Sequence, residues 1–67
     1  MSLGRNIRVI AFDKGISHKQ LAEAAEMSEA MFSKIIHGEK TPSVPKLIKI
    51  AKLLGVTVDE LLKEKEV

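Results

Sequence analysis

Residues 17–38 read SHKQLAEAAEMSEAMFSKIIHG and encode two short amphipathic helices with a brief connection between them. Ser17 can cap the first helix, because its side-chain oxygen can accept a hydrogen bond from a free backbone N–H. Gln20, three residues later, completes a capping box. The apolar residues that follow share one helical face: Leu21, Ala22 and Ala25.

Ser28 is the N-cap candidate for the second helix, which ends at Gly38 because glycine accepts the left-handed conformation of a C-terminal cap. The apolar residues of this helix lie four, seven and eight positions after the cap: Phe32, Ile35 and Ile36. The link from Glu26 to Ser28 is too short for both helices to lie flat with their apolar faces buried. We therefore expect a steep crossing, as in a helix-turn-helix.

Upstream, the sequence predicts helix 1 over residues 5–14, ended by Gly15. Its apolar face is formed by residues at i, i+3 and i+4: Ile7, Ile10 and Ala11. Residues 1–3 are given no structural weight. Val9 and Phe12 point away from the apolar face, which leaves two interpretations: scattered surface hydrophobicity, or an interface for a partner or the C-terminal tail.

Downstream, residues 39–43 form a turn-rich stretch, and Ser43 is the predicted N-cap of helix 4. Pro45 falls in the first helical turn, where its missing N–H costs nothing, and Gly55 ends the helix. The apolar residues of helix 4 are Val44, Leu47, Ile48, Ile50, Ala51 and Leu54.

Thr57 and Glu60 form a second capping box, which opens helix 5. Leu61 and Leu62 are its predicted apolar anchors. The charged tail, residues 63–67, is expected to fray. There are five predicted helices, no strand signal and no internal repeat. The sequence therefore predicts one compact all-α domain over residues 1–67.

Composition excludes several function classes. The chain of 67 residues has no cysteine, which excludes disulfides and thiolate metal sites and is consistent with the cytoplasm. No apolar run is long enough for a membrane span or a signal peptide. His18 and His37 lie at opposite ends of the motif, and no catalytic or phosphate-cradling signature accompanies them. We expect no enzymatic activity, metal, cofactor or small-molecule ligand.

Five segments in order resemble the phage-repressor/Cro-type (Xre-like) helix-turn-helix DNA-binding domains. They are KGIS before helix 2, QLAEAAEMS across the turn, FSKI in helix 3, HGEKTPS after it, and LIKIAKLLGVTVDELL at the end. The likeness covers residues 4–62. It implies a lambda-repressor-like fold and a transcriptional regulator that binds a palindromic double-stranded DNA operator as a homodimer. Repression is the expected role, and activation remains open.

The resemblance also implies which residues contact DNA. The base-reading positions on helix 3 are Glu29, Ala30, Ser33 and Lys34. In the major groove, lysine can donate to guanine, alanine can touch a thymine methyl, serine can bond either kind of base, and glutamate accepts only from a donor such as cytosine N4. The phosphate-contacting positions are His18, Lys19, Ser28, His37 and Lys40.

Two features depart from the family pattern. Many members pair an arginine in helix 1 with a glutamate in helix 3, whereas this chain has Ala11 and Ile36, which we predict to be buried and in contact. Glu26 occupies a turn position where the family commonly has glycine. A left-handed backbone there costs roughly 1 kcal/mol with glutamate, and a longer helix 2 costs nothing.

Charge keeps a second function class open. Residues 17–40 carry three lysines and four glutamates, a net charge of −1, although the whole chain carries +2. Few neutralised phosphates predict modest affinity and a shallow salt dependence. This acidic motif and the pair Val9 and Phe12 favour the alternative of a protein-interaction module on the same fold, such as an antitoxin-like or bridging protein.

Overall fold

The computed structural model describes residues 2–63, and all regular structure in this range is helical. The helices are α1 (Ser2–Lys14), α2 (His18–Ala24), α3 (Glu29–Ile36), α4 (Val44–Leu54) and α5 (Val58–Leu62). The predicted all-α, five-helix architecture is confirmed. Within this range no helix is long and apolar enough to cross a bilayer. The predicted fraying concerns residues 63–67, of which residues 64–67 lie outside the described residues.

One apolar core joins the five helices. α1 packs against α3, α4 and α5, while α2 packs against α3 and α4. Phe32 of α3 is 1% exposed and is among the largest fully buried side chains. Fourteen buried apolar side chains make up the core: Leu3, Ile7, Ala11, Leu21, Ala22, Ala25, Phe32, Ile35, Ile36, Leu47, Ile50, Ala51, Leu54 and Leu61.

The predicted helix starts are confirmed at α2, α3 and α5. Ser17 Oγ accepts from the Gln20 N–H at 3.1 Å, and Gln20 Oε1 accepts from the Ser17 N–H at 2.8 Å, so the capping box is complete. Ser28 Oγ accepts from the Met31 N–H at 3.1 Å. Thr57 makes the same reciprocal pair with Glu60. These local bonds satisfy N–H groups that have no partner within the helix.

Several sequence predictions are wrong in detail. α1 begins at Ser2 instead of residue 5, and Leu3, for which the sequence predicts no structural role, is buried in the core. Leu62 is 49% exposed and does not anchor α5, because adjacent helical residues point about 100° apart and Leu61 already faces the core. Ser43 occupies the N-cap position of α4 but makes no side-chain capping bond. Val44 and Ile48 of α4 are exposed.

Gly4 marks an unusually close approach between α1 and the end of α3. A Cβ atom at this position would lie 2.8 Å from the Ile36 carbonyl carbon, nearer still to the Ile36 carbonyl oxygen, and 3.0 Å from the Ile35 carbonyl oxygen. Ala11 and Ile36 are both buried, as predicted, and their direct contact stays a prediction. Because Gly4 lacks a side chain, the first half of α1 lies directly against the end of α3.

Candidate nucleic-acid interface

The outward face of α3 carries the four predicted base-reading side chains. All four are exposed: Glu29, Ala30, Ser33 and Lys34. At 3.6 residues per turn they fall within an arc of about 140°. Phe32, Ile35 and Ile36 occupy the opposite side and are buried. Burial of one side of α3 therefore leaves the base-reading candidates together on the other.

The connection between α2 and α3 contains a left-handed residue. Glu26 has a φ of 57°, so the alternative of a longer helix 2 is wrong. For an L-residue this conformation costs roughly 1 kcal/mol. Its N–H donates to the Glu23 carbonyl oxygen at 3.0 Å, and the next N–H, of Met27, donates to the Ala22 carbonyl oxygen at 2.9 Å. The turn is thus closed by backbone bonds although it lacks the glycine common in the family.

Two lysines of α4 hold this turn from outside the motif. Lys46 Nζ donates to the carbonyl oxygens of Ala25 at 2.9 Å and Glu26 at 3.3 Å. A cation at these positions also interacts favourably with the negative end of the α2 dipole. Lys49 Nζ donates to Glu26 Oε1 at 2.7 Å. This hydrogen bond, together with the lysine charge, lowers the pKa of Glu26.

The loop after α3 folds back onto the last turn of that helix. The Gly38 N–H donates to the Ile35 carbonyl oxygen at 3.1 Å, and the Glu39 N–H donates to the Lys34 carbonyl oxygen at 2.8 Å. A weaker bond of 3.3 Å links the Lys40 N–H to the same acceptor. Lys40 itself is exposed. The backbone bonds therefore hold His37 and Lys40 at the end of α3, near the base-reading face.

His37 has a defined hydrogen-bond arrangement. Its Nδ1 lies 2.8 Å from the Ser33 carbonyl oxygen and 3.4 Å from Ser33 Oγ. A carbonyl oxygen can only accept, so Nδ1 carries the proton and Nε2 of the neutral ring is an acceptor. A phosphate oxygen is also an acceptor. His37 Nε2 can therefore bind a phosphate only when the imidazole is protonated.

The remaining phosphate-contacting candidates lie at the starts of α2 and α3. The His18 ring packs edge-on against the buried Phe32 ring, with centroids 5.4 Å apart and an interplanar angle of 65°. This contact orients His18 and ties the start of α2 to α3. Lys19 and Ser28 are exposed, and Ser28 Oγ already serves as the α3 cap. Among residues 2–63, no three His, Asp or Glu side chains are grouped closely enough to hold a metal ion.

The structure brings two arginines to this region that the sequence reasoning missed. Arg5 and Arg8 of α1 line an open groove of about 410 Å³ together with Ile36, His37 and Gly38. The one sequence feature that could have indicated this position for the arginines is Gly4, a small residue within a helix. Gly4 indicates close helix packing only once the position of α3 is known. If Glu26 is counted as neutralised by Lys49 and the two arginines are added, the formal charge of this region changes from −1 to +2.

Val9 and Phe12 lie on the outward face of α1 and are 51% and 86% exposed. With Arg5, Arg8 and Asp13 they line a shallow second groove of about 310 Å³. Their outward direction agrees with the helical pattern of the sequence, and an interface at this position stays a prediction.

The chain matches a known protein family over most of its length. The profile of the family described as Helix-turn-helix matches residues 5–61. The chain belongs to the Cro-type, Xre-like helix-turn-helix family. No curated protein matches this helix-turn-helix domain significantly in sequence.

Solved structures of regulators share the fold. The clp gene regulator ClgR from Corynebacterium glutamicum superimposes with a TM-score of 0.84 and is 33% identical in sequence. The match covers 91% of this chain but only 65% of the ClgR chain. The N-terminal DNA binding domain of SinR from Bacillus subtilis has a TM-score of 0.83 and 33% identity, covering 97% and 96% of the two chains. The restriction-modification controller protein C.AhdI from Aeromonas hydrophila has a TM-score of 0.81 and 23% identity, covering 90% and 91%.

These comparisons confirm the resemblance read from the sequence. The likeness to C.AhdI, at 23% identity, shows the fold alone. Family membership agrees with the prediction that the helix-turn-helix domain is not an enzyme.

Proposed function

We propose that this helix-turn-helix domain is the DNA-reading part of a transcriptional regulator and inserts α3 into the major groove. The observation that carries the proposal is the division of α3 into a buried face and an outward face that presents Glu29, Ala30, Ser33 and Lys34. In helix-turn-helix proteins the second helix of the motif enters the groove, while the first crosses the backbone. α3 and α2 take these two roles.

Base reading follows from the chemistry of the four side chains. Lys34 donates to guanine O6 or N7, and Ala30 contacts a thymine methyl group. Ser33 bonds either kind of base, and Glu29 accepts from cytosine N4. Each well-formed bidentate pair contributes about 1–3 kcal/mol of discrimination between bases.

Phosphate contacts fix the position of α3 without reading sequence. His18 and Lys19 at the start of α2 bind the backbone on one side of the groove. Ser28, His37 and Lys40, which lie at the two ends of α3, bind it on the other. The folded-back loop supports this role, because it holds His37 and Lys40 at the end of the reading helix.

We further propose that two copies bind a palindromic operator in the cytoplasm and repress transcription by occupying it. Half-sites one helical turn apart are separated by about 34 Å. One copy measures 33 × 24 × 20 Å over its described residues. Two copies of this size fit side by side in successive major grooves and can contact each other.

Selection of bound sequences from a random duplex library tests the proposal. We expect one enriched half-site, repeated with two-fold symmetry at a spacing of about 10 base pairs. Lys34→Ala should change the preferred base at one position of each half-site. Lys52→Ala, which removes an exposed α4 lysine outside the interface, serves as the control and should leave the preference unchanged. A library with no enriched sequence, together with no duplex binding at low salt, would refute the proposed function.

The exposed pair Val9 and Phe12 favours a protein-interaction module as the second candidate. The double variant Val9→Glu with Phe12→Glu separates the candidates. A lost oligomer or partner complex in a protein that still folds supports the interaction module. An unchanged sedimentation profile and melting temperature indicate scattered surface hydrophobicity.

A further inference from the structure

We infer that Arg5 and Arg8 of α1, together with His37, form a phosphate-binding site that binds the DNA backbone beside the end of α3. The inference rests on the proposed function and adds a helix outside the helix-turn-helix to the DNA contacts. The ligand that we assign to the groove between α1 and the end of α3 is a phosphodiester of the DNA backbone.

The geometry of the groove begins with Gly4. Because no side chain separates α1 from the Ile36 carbonyl group, the next turn of α1 lies beside the residues that follow α3. Arg5 and Arg8 are three residues apart, so their side chains are neighbours on the helix surface. Both are exposed, and they line the groove with Ile36, His37 and Gly38.

The lining of the groove suits an anion. Neither α1 nor the end of α3 contributes a carboxylate to it. Guanidinium groups bind phosphate through paired N–H donors in a fixed geometry. The Gly38 N–H already donates to Ile35, so the contacts to a phosphate must come from side chains. A Cβ at Gly38 would meet nothing within 4 Å, which shows that the groove is open there.

The position of the groove selects a DNA phosphate over a free anion. His37 links the groove to the base-reading face, since its Nδ1 is bonded to the Ser33 carbonyl oxygen at 2.8 Å. With α3 in the major groove, the sugar-phosphate backbone runs past both ends of the helix. The two arginines also supply positive charge that residues 17–40, with a net charge of −1, lack. A phosphodiester beside the last turn of α3 therefore meets two guanidinium groups, with His37 as a third donor when its ring is protonated.

The test is the salt dependence of duplex binding by the intact chain. Each phosphate neutralised adds about 0.9 to the slope of log K against log salt. The double variant Arg5→Gln with Arg8→Gln should lower this slope by about 1.8 and weaken binding at least tenfold at moderate salt, while the preferred half-site stays the same. The matched control, Lys52→Gln with Lys63→Gln, also removes two positive charges and should keep the wild-type slope. Arg8→Lys should preserve the slope, because the charge is retained.

The outcomes separate the two proposals. If wild-type protein binds the selected duplex and the arginine and lysine double variants have equal slopes, the arginine site is refuted and the proposed function stands. If wild-type protein does not bind duplex DNA, both fail. A titration with inorganic phosphate alone, followed through the Arg5, Arg8 and His37 NMR signals, tests the other source of the ligand. Saturation by free phosphate, with a duplex slope that the variant does not change, would assign the groove to a small anion and overturn the inference.

Discussion

Replacing Gly4 with alanine should destabilise the fold, although the same change stabilises most helices. Alanine in a helix interior is favoured over glycine by about 0.5–1 kcal/mol. At Gly4 the added Cβ would lie 2.8 Å from the Ile36 carbonyl carbon, whereas ordinary contact begins at 3.4 Å. α1 and α3 must therefore separate by at least about 0.6 Å, the difference between these two distances, within a packed core.

The magnitude follows from two opposing contributions. Overpacking that shifts backbone costs about 1–3 kcal/mol. The cost has an upper limit, because the first turn of α1 can unwind and expose Leu3, whose burial stabilises the fold by about 1.5–3 kcal/mol. After subtraction of the helix-propensity gain, we expect a net loss of about 1–2 kcal/mol. For a domain of this size the melting temperature then falls by about 4–16 °C.

Thermal and urea unfolding of Gly4→Ala, followed by circular dichroism, provides the measurement. Gly15 offers a matched control, because a Cβ there meets nothing within 4 Å and its φ is +69°. Gly15→Ala should cost about 1–2 kcal/mol through backbone conformation alone, and Gly15→Asn should recover part of it. Gly4→Asn should recover nothing. A Gly4→Ala protein as stable as wild type would refute the close contact between the two helices.

Three further predictions concern the turn and the loop. Lys46→Met removes the donor to the Ala25 and Glu26 carbonyl oxygens and should lower the free energy of unfolding by about 1–2 kcal/mol in urea titrations, with Lys52→Met near neutral. Because the pKa of Glu26 is lowered in the folded state, its ion pair contributes stability above the ordinary glutamate pKa and loses it as the pH falls through the folded value. Stability measured against pH should therefore fall less steeply on acidification in Glu26→Gln than in wild type, and equal curves would contradict the Lys49 pair. His37→Ala should weaken duplex binding without changing the preferred bases, because the contact it removes is to a phosphate; equal affinities of His37→Ala and wild type would exclude a His37 contact.

Local signals allowed much of the fold to be predicted. Ser17, Ser28 and Thr57 act on N–H groups two or three residues away, so their capping roles depend on nearby sequence alone. The 3.6-residue period likewise assigned the buried and exposed faces of α3 correctly. The error at Leu62 arose because two adjacent leucines cannot both face one core, and the sequence does not show which of them does.

Contacts between distant residues could not be predicted in this way. Lys46 and Lys49 lie outside the apolar pattern of helix 4, and nothing in the local sequence shows that their side chains bond to the turn, 20 to 23 positions away. Leu3 lies four residues before Ile7 and shares the apolar face of α1, but the sequence does not show whether the helix extends that far. Arg5 and Arg8 lie near His37 only because α1 crosses the end of α3 closely. Gly4 permits this crossing, but a single glycine in the sequence does not predict it.

Lys46 and Lys49, which bond to the turn at Glu26, belong to α4. The helix-turn-helix therefore depends on residues outside it, which limits its transfer to another protein. A peptide cut to residues 17–38 would keep its capping serines but lose both lysines and the α1 surface behind α3. Grafting the α3 side chains onto another scaffold should therefore transfer base specificity only if that scaffold also provides contacts that hold the turn between α2 and α3. Within this chain, substitutions on α4 should change the tilt of α3 without altering any of the four residues proposed to contact bases.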